Sequence, residues 1–339
     1  MATPRVLVSN DWISDILADA LSDLDVEIIR GTPNVPPGAT VYAEEDWPEL
    51  FGNTDIALVS PITVISREMM MAAPKLKAIM SPVIGVESID VDAATDLGII
   101  VGHGATPENF LGMSEATMLL ISALAMQLPF KQQLLRDNAP RPKVLTACSV
   151  RNRTIGLIGM GRIARGVVDR LQGWETEILY FDPYIEQDQA PAGTKKVDLE
   201  TLLKTSDFVS VHVTVTDETK AMIGAEELAL MKPTAYLVNT ARGAALDEAA
   251  VYEALKNGAI AGAGLDAFVD EPLPLDHPFR ELDNVILTPH ILGHSKDVMD
   301  SLPVAAVANV GNVLKGEPPL YTKNPGVIDQ WKARIAKMG

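Results

Sequence analysis

Apolar and polar positions alternate along this chain in two rhythms. Short β-branched runs are interleaved with stretches of helical spacing, a pattern that predicts βαβ units and parallel sheet. In the first hundred residues the strand candidates are Arg5 to Ser9, Val26 to Arg30, Ile56 to Val59, Leu76 to Met80 and Ile99 to Val101. Trp12 to Leu24 and Ser66 to Ala73 have helical spacing, and Pro33-Asn34-Val35-Pro36-Pro37-Gly38 is a turn-rich loop. From Pro107 to Leu128 the pattern predicts one long helix, apolar around most of its circumference from Met113 onward, so it must be covered as core or subunit interface. Asn138-Ala139-Pro140-Arg141-Pro142 breaks the chain before a stronger βα alternation from Arg153 to Pro289. Ser295 to Leu314 is helical again, and Glu317-Pro318-Pro319 opens a proline-bearing tail. The expected fold class is α/β, with two doubly wound parallel sheets of unequal size.

A length of 339 residues agrees with two domains. The 28 basic and 45 acidic side chains leave a net charge of −17, which argues against a nucleic-acid or anionic-membrane surface, since both need clustered Lys and Arg. The single cysteine, Cys148, excludes an intrachain disulfide and a multi-thiolate metal site, and makes the cytoplasm the expected compartment. No signal peptide is expected, because Met1-Ala2-Thr3-Pro4-Arg5 leads straight into the strand-like Val6-Leu7-Val8. The longest apolar stretch, Met118 to Met126, is far short of the roughly 18 residues that span a bilayer. Five scattered histidines show no metal-ligand spacing, and no metal is expected.

The most informative segment is Thr154-Ile155-Gly156-Leu157-Ile158-Gly159-Met160-Gly161-Arg162-Ile163-Ala164. It reads as a buried strand feeding a glycine turn that opens a helix, in the pattern G-x-G-x-x-A. Gly159 permits the tight turn, Gly161 lets the backbone approach a pyrophosphate, and Ala164 keeps the helix close to the strand. The helix start at Gly161, Arg162 and Ile163 then offers free N–H groups to phosphates. A second strand, Glu177 to Phe181, ends at Asp182, twenty-one positions past Gly161. That carboxylate would hold the adenosine ribose hydroxyls and repel a 2′-phosphate, and no arginine follows in Pro183-Tyr184-Ile185. NAD is therefore expected over NADP.

Three later segments each bring an ionisable residue to what should be the carboxyl end of a strand. They are Leu237-Val238-Asn239-Thr240-Ala241-Arg242-Gly243, Gly264-Leu265-Asp266-Ala267-Phe268-Val269-Asp270-Glu271-Pro272 and Val285-Ile286-Leu287-Thr288-Pro289-His290-Ile291. A guanidinium can fork a carboxylate, an imidazole can exchange a proton with a hydroxyl or carbonyl oxygen, and a carboxylate can orient that imidazole.

In these segments and their order the chain resembles the D-isomer-specific 2-hydroxyacid dehydrogenases, from Asp55 to about Lys315. The resemblance implies an NAD-dependent reversible hydride transfer between nicotinamide and a small D-2-hydroxy or 2-keto acid. It assigns substrate-carboxylate binding to Arg242, acid/base work to His290 and its pairing to Glu271. Asp266 would meet the nicotinamide carboxamide. His212, Val213 and Thr214 would wall the adenine side, with Thr240 also at the cofactor. A backbone carboxylate clamp is implied at Ile84 and Gly85. It further implies a flavodoxin-like, discontinuous substrate domain at 1–104 and 292–339, closing over an inserted NAD-binding Rossmann-like domain at 105–291. A homodimer would be built on the 107–128 helix. Alternatives on the same fold are an NAD(H)-regulated corepressor-like binding protein, or a relative acting on 3-phosphoglycerate or formate.

Several positions depart from the family pattern. Ala164 replaces the third fingerprint glycine, Ala116 stands where a histidine often follows the helix glutamate Glu115, and Thr214 replaces a proline. Leu292 replaces a small residue, which bears on pocket size. Ile84 stands where phosphite-oxidising relatives carry lysine, and no Arg or Lys lies between Lys77 and Lys131 to receive a phosphorylated substrate. His103 reads as a loop residue first and pocket lining second, and His277 and His294 as surface loop residues. Glu44-Glu45-Asp46 reads as a solvated helix start.

Overall fold

A computed structural model describes residues 3–10, 14–33 and 40–338. The chain divides into two compact units, Met1–Asn109 with Lys296–Gly339, and Phe110–Ser295. The expected cuts at 104/105 and 291/292 fall in loops a few residues before these limits.

In the first unit, β1 (Arg5–Asn10), β2 (Glu27–Pro33), β3 (Ile56–Leu58), β4 (Ala78–Met80) and β5 (Ile100–Gly102) form a parallel sheet in the order β2-β1-β3-β4-β5. Successive residues of β3 feed opposite cores: Ile56 and Leu58 join Val6, Val8 and Trp331, whereas Ala57 joins Leu7 and Ile79. Such two-sided burial explains why these strands read as unbroken apolar runs. The run expected to end at Arg30 continues to Pro33, because Asn10 pairs with Pro33 in the ladder to β1. Trp12 and the loop residues 34–38 lie outside the described residues.

The C-terminal tail holds a helix that the pattern did not predict, Ile328–Met338. Its Trp331 is fully buried, and the indole N–H donates to Lys77 O at 2.9 Å. Asn324, just before it, accepts from Val101 N–H at 2.8 Å and donates to Ile99 O at 3.0 Å, so one amide stitches the tail to the rim of the sheet.

In the second unit, β6 (Thr154–Ile158), β7 (Glu177–Phe181), β8 (Thr194–Lys196), β9 (Phe208–Val211), β10 (Tyr236–Asn239), β11 (Gly262–Leu265) and β12 (Val285–Leu287) form a parallel sheet. Its order is β12-β11-β10-β9-β6-β7-β8, so the direction of winding reverses at β6. Leu237 packs into one core, while Tyr236 and Val238 pack into the other.

The single helix expected over Pro107 to Leu128 ends at Ala125, and a second helix, Leu128–Arg136, follows at a 60° bend. Gln127 takes a left-handed φ of 51°. Pro129 lacks the N–H that would bond Ala125 O, and its ring would clash there if the helix continued. Among the described residues no single helix is long and apolar enough to cross a membrane; only this bent pair has the combined length and apolar character.

Candidate active site

The chemistry-bearing residues of the second unit gather at the carboxyl ends of its strands. The glycine turn follows β6, Asp182 follows β7 and His212 follows β9. Arg242 lies in the loop after β10, Asp266 and Glu271 after β11, and His290 after β12. In an open parallel sheet this is the edge where ligands bind, beside the point where winding reverses.

Gly159 has φ +90°, and a Cβ there would sit 2.8 Å from His212 O, so only glycine turns the chain this way. A Cβ on Gly161 would meet nothing within 4 Å. That open space borders the N-terminus of the helix Arg162–Arg170, which carries no side-chain cap on its first N–H groups. Asp182 braces the turn, with Oδ2 accepting from Met160 N–H and Oδ1 from Tyr184 N–H, both at 2.9 Å. Each carboxylate oxygen keeps a lone pair for a ribose hydroxyl. Arg162 and Thr214 are exposed and Ile163 and Val213 half-buried along the same edge. Burial pushes the His212 ring down to about 4, so it is neutral at pH 7, with Nε2 2.9 Å from Ser210 Oγ. These residues fit a dinucleotide.

His290 presents Nδ1 to both oxygens of Glu271, at 2.9 and 2.8 Å. An ionised carboxylate only accepts, so Nδ1 carries the hydrogen and Nε2 is left for a ligand. The two side chains are 38% and 37% exposed, open enough to be reached. His290 has φ 56°, an uncommon conformation for a non-glycine residue that turns the chain sharply here. Burial acts to raise the Glu271 pKa, but the His290 hydrogen bond and charge, the Phe268 N–H and the Arg242 charge outweigh it and hold the carboxyl below its ordinary value.

Arg242 sits in a loop clamped by the buried amide of Asn239, which donates to Arg242 O at 2.9 Å and accepts from Ala241 N–H at 3.0 Å. Thr240 hydrogen-bonds the buried Thr117 hydroxyl at 3.0 Å. At Gly243 a Cβ would lie 2.0 Å from the Phe268 carbonyl carbon, so the arginine loop packs directly on the backbone that leads to Glu271.

Asp266 is 1% exposed. Its Oδ1 accepts from the Thr288 hydroxyl at 2.7 Å and from Leu292 N–H at 3.3 Å, while Oδ2 has no partner. Burial pushes this carboxyl above the ordinary value, against the Thr288 bond and the His290 charge, which favour ionisation. A buried acceptor left unpaired is costly unless a ligand donor completes it. Leu292 is half-buried against the core cluster that contains Met118 and Leu120, so its bulk joins the core.

Ile84 and Gly85 belong to the first unit, in the loop after β4. Ser81 Oγ donates to Gly85 O at 2.7 Å, and among the described residues neither the Ile84 nor the Gly85 N–H has a hydrogen-bond partner. His103 stacks on Tyr321 with ring centroids 5.7 Å apart. His294 is exposed. His277, expected as a surface loop residue, lies in the loop between β11 and β12 and is half-buried, packing on Phe279 and lying 3.6 Å from Glu248. Among the described residues no cluster of His, Cys, Asp or Glu could hold a metal.

Three contributors were not picked out as site residues from the sequence. Asn239 was visible in its segment but carries no charge to mark it. Glu248 accepts from Val269 N–H at 2.8 Å and so holds the Glu271 loop from another element. Thr288, beside His290 in sequence, anchors Asp266.

Comparison with known proteins gives the family. The family model described as D-isomer specific 2-hydroxyacid dehydrogenase, NAD binding domain, matches residues 117–291. A glyoxylate reductase of Thermofilum pendens is 39% identical over 302 residues, covering 85% of this chain and 88% of that protein. A D-3-phosphoglycerate dehydrogenase of Methanocaldococcus jannaschii is 36% identical over 304 residues, 89% of this chain but only 57% of that longer protein. The solved glyoxylate reductase of Paecilomyes thermophila superposes with a TM-score of 0.85 at 25% identity, covering 96% and 99% of the two chains. Fold, glycine turn and matched domain define a nicotinamide-dependent oxidoreductase of two Rossmann-like domains. The chain belongs to the D-isomer specific 2-hydroxyacid dehydrogenase family, and NAD is the cofactor of that family's nucleotide domain.

Proposed function

We propose that the chain reduces a small, unphosphorylated 2-keto acid to the D-2-hydroxy acid, with His290 as acid/base, Glu271 as its partner and Arg242 binding the substrate carboxylate. The observation that carries this reading is the contact of His290 Nδ1 with both Glu271 oxygens, which fixes the ring and leaves Nε2 for a ligand. When bound, the reduced nicotinamide supplies a hydride to C2. Protonated His290 donates from Nε2 to the substrate oxygen as negative charge develops there, and Glu271 stabilises the imidazolium. Arg242 offers a planar fork to the carboxylate. Asp266, whose Oδ2 is unpartnered, would accept from the carboxamide of the bound cofactor.

The absence of Arg and Lys between Lys77 and Lys131 supports an unphosphorylated substrate, and so does the similarity to glyoxylate reductases along most of both chains. The test is loss of NADH absorbance with glyoxylate, hydroxypyruvate, pyruvate and 3-phosphohydroxypyruvate. Preferred turnover of an unphosphorylated acid is expected. A preference for the phosphorylated acid would overturn the substrate assignment, and NADH binding without any turnover would favour the corepressor-like reading.

We further propose that the chain forms a homodimer. The helix Pro107–Ala125 and its continuation leave Leu119, Met126, Leu128, Phe130 and Leu135 exposed by 47 to 84%. Apolar side chains in such a run suit an isologous partner surface. Sedimentation should give twice the chain mass of 36.4 kDa, and a Phe130→Asp, Leu135→Asp double variant should shift it towards monomer.

A further inference from the structure

Reversal of winding at β6 puts β9 on one side of that strand and β7 on the other. The loops that follow β7 and β9 therefore face each other across the crevice into which the glycine turn opens. One side-chain hydrogen bond ties them together: the Tyr184 hydroxyl donates to Glu218 Oε2 at 2.8 Å.

Both ends of this tie are anchored. Tyr184 N–H donates to Asp182 Oδ1 at 2.9 Å, so the tyrosine is placed by the same carboxylate that braces the glycine turn. On the other side Thr219 Oγ1 donates to Thr214 O at 2.6 Å and accepts from Thr216 N–H at 2.8 Å, which locks the loop bearing Glu218. The tie itself contributes little to the fold. Tyr184 is 75% exposed and belongs to neither core cluster of the second unit. The bond spanning the two anchored loops is solvent-exposed, so it can break without disturbing either core cluster.

The two side-chain charges that act on the Tyr184 hydroxyl are both negative. Asp182 lies two residues from Tyr184, and Glu218 adds a second carboxylate on the far loop. Arg165 on the adjoining helix is committed to Met160 O and Gln189 O, Lys196 is paired with Glu186, and the exposed Lys220 follows Glu218 by two residues on the far loop. Glu218 also raises the Tyr184 pKa, first through the hydrogen bond and then through its charge, which keeps the phenol a donor.

We propose that Tyr184 and Glu218 form a latch over the adenosine half of the dinucleotide site, slowing release of NADH and adding Glu218 to Asp182 in excluding a 2′-phosphate. The proposal rests on dinucleotide binding at the glycine turn. It assigns the far loop a part in cofactor choice that lies outside the G-x-G-x-x-A…D fingerprint.

The test is binding, read by stopped-flow fluorescence and calorimetry on the full chain. Tyr184→Phe keeps the ring and removes the donor, and NADH should dissociate roughly three- to tenfold faster, the size of an ordinary hydrogen bond, since solvent screens this exposed one. Glu218→Gln keeps an acceptor and removes the charge, and the ratio of the NADPH to the NADH Kd should fall by roughly threefold or more. Melting curves of the ligand-free variants check that the fold is intact. A Tyr184→Phe dissociation rate equal to that of the parent, or an unchanged ratio in Glu218→Gln, overturns the latch. If the parent bound neither nucleotide, the dinucleotide reading itself would fall, and the latch with it.

Discussion

His290 Nδ1 lies 2.9 and 2.8 Å from the two carboxylate oxygens of Glu271, nineteen residues away in sequence and on the loop of the neighbouring strand. The contact sets the tautomer and the ring orientation together. Glu271→Gln should keep the shape and lose the charge. Turnover of a 2-keto acid should fall by roughly 10²-fold, the usual weight of a positioned acid/base, with NADH binding retained. Steady-state rates together with NADH titration check this.

Arg242→Lys separates fork from charge. A lysine cannot bond both oxygens of a carboxylate from one plane, so KM for the keto acid should rise by roughly tenfold or more. Arg242→Ala should lose nearly all turnover while NADH still binds; undiminished turnover would remove the arginine from its role.

Asp266→Asn should separate stability from cofactor binding. The buried carboxyl is held above its ordinary pKa chiefly by burial, and Oδ2 has no partner, so the neutral amide should leave the ligand-free melting temperature equal or higher. The new amide hydrogens oppose a ligand donor, and the NADH Kd should rise by roughly fivefold or more. Thermal shift with and without NADH gives both numbers.

His212 predicts an acid-side loss of stability. Unfolded, it takes up a proton at the ordinary value of 6.5; folded, only near 4. Between those values the unfolded state binds more protons, so stability falls as pH drops, by at most about 3 kcal/mol for this group. Glu271 acts in the same direction lower down: its folded pKa is depressed, so its contribution is present above the ordinary carboxylate value and lost as pH falls through the folded one. His212→Gln should flatten the melting temperature between pH 6.5 and 4 relative to the parent.

Gly243→Ala tests the coupling of two loops. The added methyl would sit 2.0 Å from backbone carbon, where nothing flexible can yield, so a loss of about 2–4 kcal/mol is expected in urea unfolding.

Local chemistry made much of this legible in the sequence. The β6 turn, Asp182 and the three segments bearing Arg242, Glu271 and His290 were readable because each depends on residues a few positions apart: a glycine that must turn, a strand that must be apolar on both faces, a polar residue at its end. The helix break at Gln127 goes against the single helix expected to Leu128, although its cause, Pro129, is local. The C-terminal helix was missed because its burial depends on one side chain, Trp331, reaching a sheet built more than two hundred residues earlier. The bracing of Asp182 by Met160 N–H, the hold of Glu248 on the Glu271 loop and the span from Tyr184 to Glu218 had no sequence signal at all. The sequence by itself determined the fold class, the dinucleotide turn and the identity of the ionisable groups, because periodicity and turn chemistry act over short range. Only the tertiary structure decided which of those groups meet, because strand order, set by packing on both sheet faces, brings distant loops to one edge.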